Sequence, residues 1–404
     1  MFSRRDFLTT TLRGSTLIAL APGVPAFLAR TARAAAPDRH GTILVVIQLD
    51  GGNDGINTVV PFADEGYAKY RKILRLPTRQ LIKVNNQVGL HPSMREAGKL
   101  LQAGQLAIIQ AVGYPNPNRS HFESMAIWHS ARFDAEERND QGWLGRALDD
   151  SKNLLPGIPA SVFVGPGQLP VALRGRRSIA SALTRPEDFC LAPEAKAKVP
   201  LAPPEKKDDL AAFVQRSALD AYATADKMAE IARGGDTNAR YPETDLGAQF
   251  RLMARLIKAN VGTRVYYARH GGYDTHAGQL GSHASLLNEF SGALKAFLDD
   301  LAAAKLADRV TLLAFSEFGR TVKENASGGT DHGTAGPVFL AGPRVKAGLI
   351  GATPRLMDLD AKHGDLKVGI DFRCVYATVL EDWLALPATT ALAGNFEKLS
   401  LFKI

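Results

Sequence analysis

The chain has 404 residues, of which 45% are hydrophobic and 22% are charged, and its formal net charge is +8. This composition is ordinary for a soluble globular protein, and the length indicates one large domain with an insertion or two domains. Residues 1–34 hold five arginines against one aspartate, so about half of the positive charge lies there. The remainder is too mildly basic to indicate a nucleic-acid partner.

The first 36 residues are typical of a twin-arginine export signal. The pattern around the paired arginines reads Ser3-Arg4-Arg5-Asp6-Phe7-Leu8. A short apolar stretch at 17–21 follows, and small residues at 32–36 offer a cleavage site of the Ala-x-Ala type. We therefore expect the twin-arginine translocase to export residues 37–404 to the periplasm or the exterior. No other segment of the sequence is apolar enough to predict a membrane span.

The remaining sequence alternates apolar strands with amphipathic helices. Strands are predicted at 42–49, 106–112, 161–164, 170–173, 264–269, 310–315 and 336–341. Helices are predicted at 93–102, with Ser93 as its cap, at 119–132, 208–231 and 244–260, and after the caps Ser282 and Asp371. Proline-rich residues 185–208 indicate a surface excursion within a helical insertion at about 174–262. The alternation predicts a doubly wound α/β/α sandwich.

Polar residues collect just after the predicted strands or just before the next one. Ligands of open α/β sheets bind beyond the carboxyl ends of the strands. Carboxylates crowded at one edge repel one another unless a cation is bound, and a mixed Asp/Glu/His set suits zinc, manganese or a related divalent ion. The expected metal ligands are Asp50, Asp274, His276, Glu317, Asp331 and His332.

Each candidate also has a structural explanation. Asp50 could be a turn residue before glycines, Ser120 could be a helix N-cap, and Glu317 could pair with a nearby basic residue. The two cysteines, Cys190 and Cys374, could form a disulfide after export or remain separate thiols. Joint placement at one edge, rather than any single motif, is what indicates a site.

Several motifs together resemble a bacterial family called domain of unknown function 1501. They are the twin-arginine start, Leu49-Asp50-Gly51-Gly52-Asn53-Asp54, Gly272-Tyr273-Asp274-Thr275-His276, Ser316-Glu317-Phe318-Gly319-Arg320-Thr321 and Asp331-His332-Gly333. The order of elements is in turn similar to the alkaline phosphatase and sulfatase superfamily. That resemblance implies an alkaline phosphatase-like fold with one or two divalent ions, of zinc, manganese, magnesium or calcium.

The same resemblance implies a role for individual residues. Asp50 resembles the early metal aspartate of the superfamily, and the Asp274–His276 pair and His332 resemble its later metal ligands. Phe318 stands where the superfamily has a metal-binding histidine, which is a departure from its pattern. A second metal ion is accordingly in doubt.

The chemistry implied by the resemblance is the hydrolysis of small anionic esters. Ser120 resembles the superfamily nucleophile, with its neighbours His121 and Asn118 as the alternatives. Arg320 or Arg119 would bind the anion. The implied function is an exported metal-dependent hydrolase of phosphate or sulfate esters. The alternative is a non-catalytic, metal-stabilised binding or assembly protein of the cell envelope, which the departure at Phe318 favours.

The export signal gives the first testable prediction. Replacing both Arg4 and Arg5 with Lys is expected to leave unprocessed, folded protein in the cytoplasm, because the paired arginines are the recognised feature. Cell fractionation measures the outcome, and normal accumulation of the double variant outside the cytoplasm would contradict it.

Overall fold

The computed structural model describes residues 41–151, 158–184 and 239–403. Its strands are β1 (Ile43–Leu49), β2 (Val59–Val60), β3 (Ile82–Lys83), β4 (Gly89–Leu90), β5 (Leu106–Gly113), β6 (Ser161–Val164), β7 (Ala180–Leu183), β8 (Val265–His270), β9 (Val310–Phe315), β10 (Gly336–Ala341), β11 (Gly348–Ile350) and β12 (Ile370–Asp371). Its α-helices are α1 (Gly55–Thr58), α2 (Glu65–Tyr70), α3 (Arg95–Gln102), α4 (His121–Ser130), α5 (Trp143–Asp149), α6 (Asp245–Lys258), α7 (Gln279–Ala303), α8 (Phe372–Thr378) and α9 (Ala388–Leu392). Single 3₁₀ turns lie at Thr78–Gln80, Val171–Leu173 and Ala307–Arg309, and a π-helical turn at Val379–Trp383 follows α8.

One mixed sheet organises the described part of the chain. Its strand order is β11-β5-β10-β9-β1-β8-β6-β7, and β12 pairs with β5. The strands from β9 through β7 run parallel, whereas β10 is antiparallel to both β5 and β9. A small antiparallel sheet of β2, β4 and β3 lies apart from it.

Strand β1 lies inside the sheet and is buried along its whole length. Val45 and Ile47 belong to one hydrophobic core, and Leu44 and Val46 belong to the other. Successive side chains of a strand point to opposite faces, so the unbroken apolar run at positions 43–47 buries surface on both sides. Burial of apolar area contributes about 25 cal/mol per Å². A strand that is covered on both faces is therefore stabilised by a continuous apolar run rather than by an alternating pattern.

Helices cover both faces of the sheet. Leu100 of α3, Phe250 of α6 and Phe297 of α7 are buried in the first core. Trp128 of α4 and Tyr376 of α8 are buried in the second, together with residues of α5 and α9. These three layers confirm the predicted α/β/α sandwich.

The direction of β10 decides which loops can meet. A parallel strand brings the residues that follow it to the carboxyl edge of the sheet, and an antiparallel strand brings the residues that precede it. Residues 330–335, which precede β10, therefore lie at the same edge as the segments after β1, β8 and β9.

Two predicted helix caps are wrong, because distant segments supply the hydrogen-bond acceptors. Ser93 does not cap α3, and the Ser291 hydroxyl of α7 instead accepts a backbone N–H from the first turn of α3 at 2.7 Å. Helix α7 begins before Ser282, because the Gln279 N–H donates to the carbonyl of Gly328. The sequence near each helix start does not reveal either of these distant hydrogen-bond partners.

The predicted strand at 170–173 is also wrong. Val171–Leu173 forms a 3₁₀ turn in which the Leu173 N–H donates to the Pro170 carbonyl at 3.0 Å. Proline has no N–H to give to a sheet ladder. The neighbouring position in the sheet is taken by β7, which pairs in parallel with β6.

Some predictions lie outside the described residues. These are the export signal at 1–36, the helix at 208–231, much of the insertion at about 174–262, and Cys190. Cys374 has no disulfide partner within the described ranges. No described helix combines the length and the apolar character that crossing a membrane requires.

A buried histidine beneath the loop after β1 makes stability depend on pH. His283 of α7 lies within 3.0 Å of the Asn53 side-chain oxygen and 3.4 Å of the Thr58 hydroxyl. Burial lowers the pKa of His283 to about 4, although the negative charge of Asp54 opposes the shift. The unfolded chain takes up this proton near pH 6.5, whereas the folded chain does so only near pH 4.

The free energy of unfolding is therefore expected to fall as the pH drops from 6.5 to 4, by roughly 3 kcal/mol from this one group. The variant His283→Gln, whose amide can still donate to Asn53, should show a correspondingly shallower loss in urea unfolding at pH 7 and pH 4.5. His363→Gln, which removes a partly exposed histidine, is the matched control. Equal slopes for the parent and His283→Gln would contradict the prediction.

Candidate metal centre

The turn after β1 is shaped around the carboxylate of Glu317. Gly51 and Gly52 have φ values of +117° and +77°, which favour glycine. A Cβ at Gly51 would also lie 2.5 Å from the backbone nitrogen of Asp274. This conformation aims both glycine N–H groups at the buried Glu317 carboxylate, at 3.0 and 3.1 Å. Glu317 is thus fixed directly behind the edge of the sheet.

Three histidines at this edge are each held through Nδ1. His121, the first residue of α4, donates from Nδ1 to Glu317 Oε1 at 2.7 Å. His276 donates from Nδ1 to Asp331 Oδ1 at 3.0 Å. His332 donates from Nδ1 to the carbonyl of Arg119 at 2.6 Å. An Nδ1–H bonded to oxygen leaves Nε2 with its lone pair, as is usual for histidines that bind metals.

The three Nε2 atoms converge on one oxygen of Asp274. The distances to Oδ1 are 3.0 Å from His276, 3.3 Å from His332 and 3.4 Å from His121. The Nε2 atoms of His276 and His332 are 2.9 Å apart. The Nε2 atom of His121 is buried and has no hydrogen-bond partner among the described residues. Lone pairs that face one another at these distances repel unless a proton or a metal ion lies between them.

The geometry of this cluster fits a divalent metal ion. Zinc–nitrogen bonds of about 2.0–2.1 Å in a tetrahedron place neighbouring ligand atoms roughly 3.3 Å apart. The distances around Asp274 Oδ1 are close to that value. The ligand atoms of His121, Asp274 and His332 all lie within 4.8 Å of one another, and His276 stands beside this group, in contact with Asp274 and His332. Three imidazoles and a carboxylate are also a donor set that zinc and related ions prefer.

The pKa shifts around the cluster also favour a bound cation. Burial would raise the pKa of Asp274, but the hydrogen bond and charge of Arg320 outweigh it and lower the pKa to about 2. The hydrogen bond to Glu317 raises the pKa of His121, and burial lowers that of His332. Asp274 therefore stays ionised at neutral pH and is ready to bind a cation.

The guanidinium of Arg320 joins the loops that carry the ligands. It is fully buried and donates from Nε to the Gly52 carbonyl at 2.7 Å and from Nη1 to the Thr330 carbonyl at 2.9 Å. Its Nη2 donates to the carbonyls of Gly51 and Tyr273 and to Asp274 Oδ1, the last at 2.5 Å. These contacts occupy its donors, so the geometry gives Arg320 a positioning role rather than direct contact with a substrate.

The remaining predicted residues lie around this cluster. Asp331 and Glu317 are acceptors behind histidines, and Asp50 is bonded to the Gln48 amide at 3.1 Å. Burial, followed by the charge of Glu317, raises the pKa of Asp50. Ser120 is exposed at the N-cap position of α4, and its hydroxyl makes no capping hydrogen bond. Phe318 is buried with its ring 4.9 Å from those of His121 and His332, and closes the cluster on that side.

Sequence comparison assigns the family. Residues 42–383 match the family described as Protein of unknown function (DUF1501). The chain belongs to the DUF1501 family. The resemblance drawn from the sequence motifs is thereby confirmed. No curated protein matches this DUF1501 chain.

Several solved structures are similar to this DUF1501 protein at low identity. The protein Ps i-CgsB in complex with k-i-k-neocarrahexaose is 9% identical, with a TM-score of 0.41 over 89% of this chain and 75% of its own. The PsFucS1 sulfatase from Pseudoalteromonas sp. is 9% identical, with a TM-score of 0.37 over 80% and 66%. The magnesium-bound TAB5 alkaline phosphatase mutant is 12% identical, with a TM-score of 0.34 over 77% and 95%.

Sequence reasoning grouped His121 with Ser120 as a catalytic residue rather than with the metal ligands. Its place as the first residue after a strand-to-helix loop was the available signal. Its contact with Glu317, 196 positions away in the chain, could not be read from spacing. Arg269, at the carboxyl end of β8, was not singled out at all.

Metal content tests the cluster directly. The purified parent is expected to carry about one divalent ion per chain, because one group of donors converges on Asp274. His332→Ala and Asp274→Asn should lose most of it, since each removes a donor atom. His363→Ala, which changes a histidine away from the cluster, should retain it. Elemental analysis after dialysis checks the result, and a full complement of metal in His332→Ala would contradict it.

Proposed function

We propose that this protein is a metal-dependent hydrolase of phosphate or sulfate esters. The observation that carries the proposal is the convergence of three imidazole Nε2 atoms on Asp274 Oδ1 at the carboxyl edge of the sheet. Zinc is the ion we expect there, because nitrogen ligands and a single carboxylate oxygen suit it best. Asp274 and His276 are about half exposed, at 49% and 42% of their side-chain surfaces, so a substrate can reach the cluster.

The bound ion would act as a Lewis acid that polarises the ester oxygens and lowers the pKa of an adjacent hydroxyl. His121, His276, His332 and Asp274 would hold it, and Phe318 would keep water from one side of the cluster. Helix α4 contributes backbone N–H groups and the positive end of its dipole near an incoming anion. A negatively charged ester is the substrate class that these features favour.

Ser120 is the proposed nucleophile. Its Oγ would form a bond to phosphorus or sulfur while the bond to the leaving oxygen breaks, and the hydroxyl proton would pass to that oxygen to give the free alcohol. A water molecule would then attack the seryl ester, release phosphate or sulfate, and return a proton to Ser120. The proposal is supported by the exposed position of Ser120 beside His121 and by a hydroxyl that is free of any capping bond.

We also propose that the enzyme works outside the cytoplasm after export by the twin-arginine translocase. The pattern at Arg4 and Arg5 supports this proposal. The translocase carries folded proteins, so the cluster would be able to take up its ion before export. No nucleic-acid partner is proposed.

A non-catalytic, metal-stabilised binding protein is the second candidate. The position of Phe318 favours it, because an apolar ring stands against His121 and His332 where the superfamily pattern has a further histidine. Screening the metal-loaded protein against aryl phosphates, phosphodiesters and aryl sulfates separates the two. Turnover of any of these supports the hydrolase, and full metal content without turnover supports the binding protein.

Ser120→Ala gives a sharper test when paired with a second variant. It should reduce kcat at least a thousandfold, as expected for loss of a covalent nucleophile, and leave the melting temperature and metal content unchanged. Thr244 does cap its helix, with its hydroxyl oxygen accepting from the Gly247 N–H at 3.2 Å. Thr244→Ala should therefore lose about 0.5–2 kcal/mol of stability and keep kcat. Near-normal turnover by Ser120→Ala would remove Ser120 from the mechanism.

A further inference from the structure

Two arginines near the metal centre are already engaged. Arg320 gives its donors to loop carbonyls and Asp274. Arg119 donates from Nη2 to the Asp365 carboxylate and to the His363 carbonyl. Each of these two guanidiniums therefore already has a carboxylate partner, Asp365 for Arg119 and Asp274 for Arg320.

Arg269 differs from both of them. It pairs in register with Gln48 of β1, so its side chain leaves the sheet on the same face as Gln48 and Asp50. Its guanidinium carbon lies 5.3 Å from the centre of the Phe163 ring. Its Nε is buried without a hydrogen-bond partner among the described residues, and no described carboxylate forms an ion pair with it. Leaving such a donor unpaired is costly, and an anion would satisfy it.

The guanidinium of Arg174 adds a second positive charge near Arg269. Within the described ranges, the Arg174 side chain makes one long hydrogen bond, 3.4 Å from Nη2 to the carbonyl of Leu169. Burial lowers the pKa of His129, and the charges of Arg269 and Arg174 lower it further. Two like charges near one residue repel each other unless an anion lies close to both.

The distance between Arg269 and the metal centre indicates which part of a substrate Arg269 would bind. Strands β8 and β9 flank β1 on opposite sides, and Arg269 and Phe315 both pair with Gln48. Arg269 and Phe315 are therefore two strand spacings apart, or about 10 Å, and Glu317 follows Phe315 by two residues. Glu317 contacts the cluster through His121. A group bound at Arg269 is therefore not the ester group at the cluster but another part of the same molecule.

We propose that Arg269, with Arg174, binds a second anionic group of the substrate, such as a carboxylate, at about 10 Å from the ester that is hydrolysed. This inference rests on the proposed function and narrows it to polyanionic esters. Phe163 and the turn at 165–168 form one wall of the subsite, since a Cβ at Gly167 would lie 3.7 Å from Arg269 Nη1.

Calorimetry on the metal-loaded protein tests the subsite with two phosphonates. Phosphonoacetate is short, and a long-chain phosphonocarboxylate has ends that span roughly 10 Å. The parent should bind the long ligand at least tenfold more tightly, as a charge-assisted contact provides. Arg269→Gln should remove that gain and leave phosphonoacetate binding unchanged, and Arg269→Lys should keep part of it.

The matched control is Arg344→Gln, which removes an arginine that also lies over an aromatic ring, 5.7 Å from the centre of Trp383. It follows antiparallel β10 and so lies at the opposite edge of the sheet; its binding should equal that of the parent. Equal affinity of the parent for both ligands would overturn the subsite, as would an equal loss of both in Arg269→Gln. Failure of the parent to bind either phosphonate would instead count against the proposed function. If Arg269→Gln does not fold, Arg174→Gln should show the same selective loss.

Discussion

The buried guanidinium of Arg320 is the contact on which the metal centre depends. It bonds the carbonyls of Gly51, Gly52, Tyr273 and Thr330 and one oxygen of Asp274. These acceptors belong to three separate loops, after β1, after β8 and before β10. A planar group with five donors in fixed directions can hold three loops in one relative position, which a lysine ammonium cannot do.

A second buried ion pair supports the same turn from below. Asp54 caps α1 and pairs with Arg71 at 2.5 Å, and both side chains are completely buried. Arg71 also donates to the carbonyls of Thr321 and Val322, in the loop that follows β9. Burial opposes the shift, but the charge of Arg71 lowers the pKa of Asp54. Removing one partner of such a pair typically costs about 3–5 kcal/mol, because the other charge is left buried and unpaired.

The sequence was a good guide wherever the information was local. The apolar run of β1 and the cap of α8, where Asp371 accepts from the Arg373 N–H at 2.9 Å, follow from neighbouring residues alone. The rule that ligands collect beyond strand ends also placed Asp274, His276 and His332 at one edge. Their shared edge is possible only because β10 runs antiparallel, and that direction is set by pairing with β5 and β9.

Roles within the cluster could not be predicted, because they depend on contacts between distant segments. The sequence offers Glu317, Asp331 and His121 as equivalent candidates. Three-dimensional packing puts the two carboxylates behind imidazoles and turns His121 toward Asp274. From the sequence, Phe318 is only a departure from the superfamily motif. Its packing against two histidine rings is visible only in the structure.

The Nδ1 hydrogen bonds of the three histidines also bear on the speed of ion capture. Each ring is anchored to an oxygen of a different segment, namely Glu317, Asp331 and the carbonyl of Arg119. The fold therefore fixes the rotamers and tautomers of the three histidines without an ion. Binding of an ion would then cost little side-chain entropy. A cage of this kind would fill as soon as the chain has folded, and exchange of a bound ion would be limited by the breaking of metal bonds rather than by rearrangement of the protein.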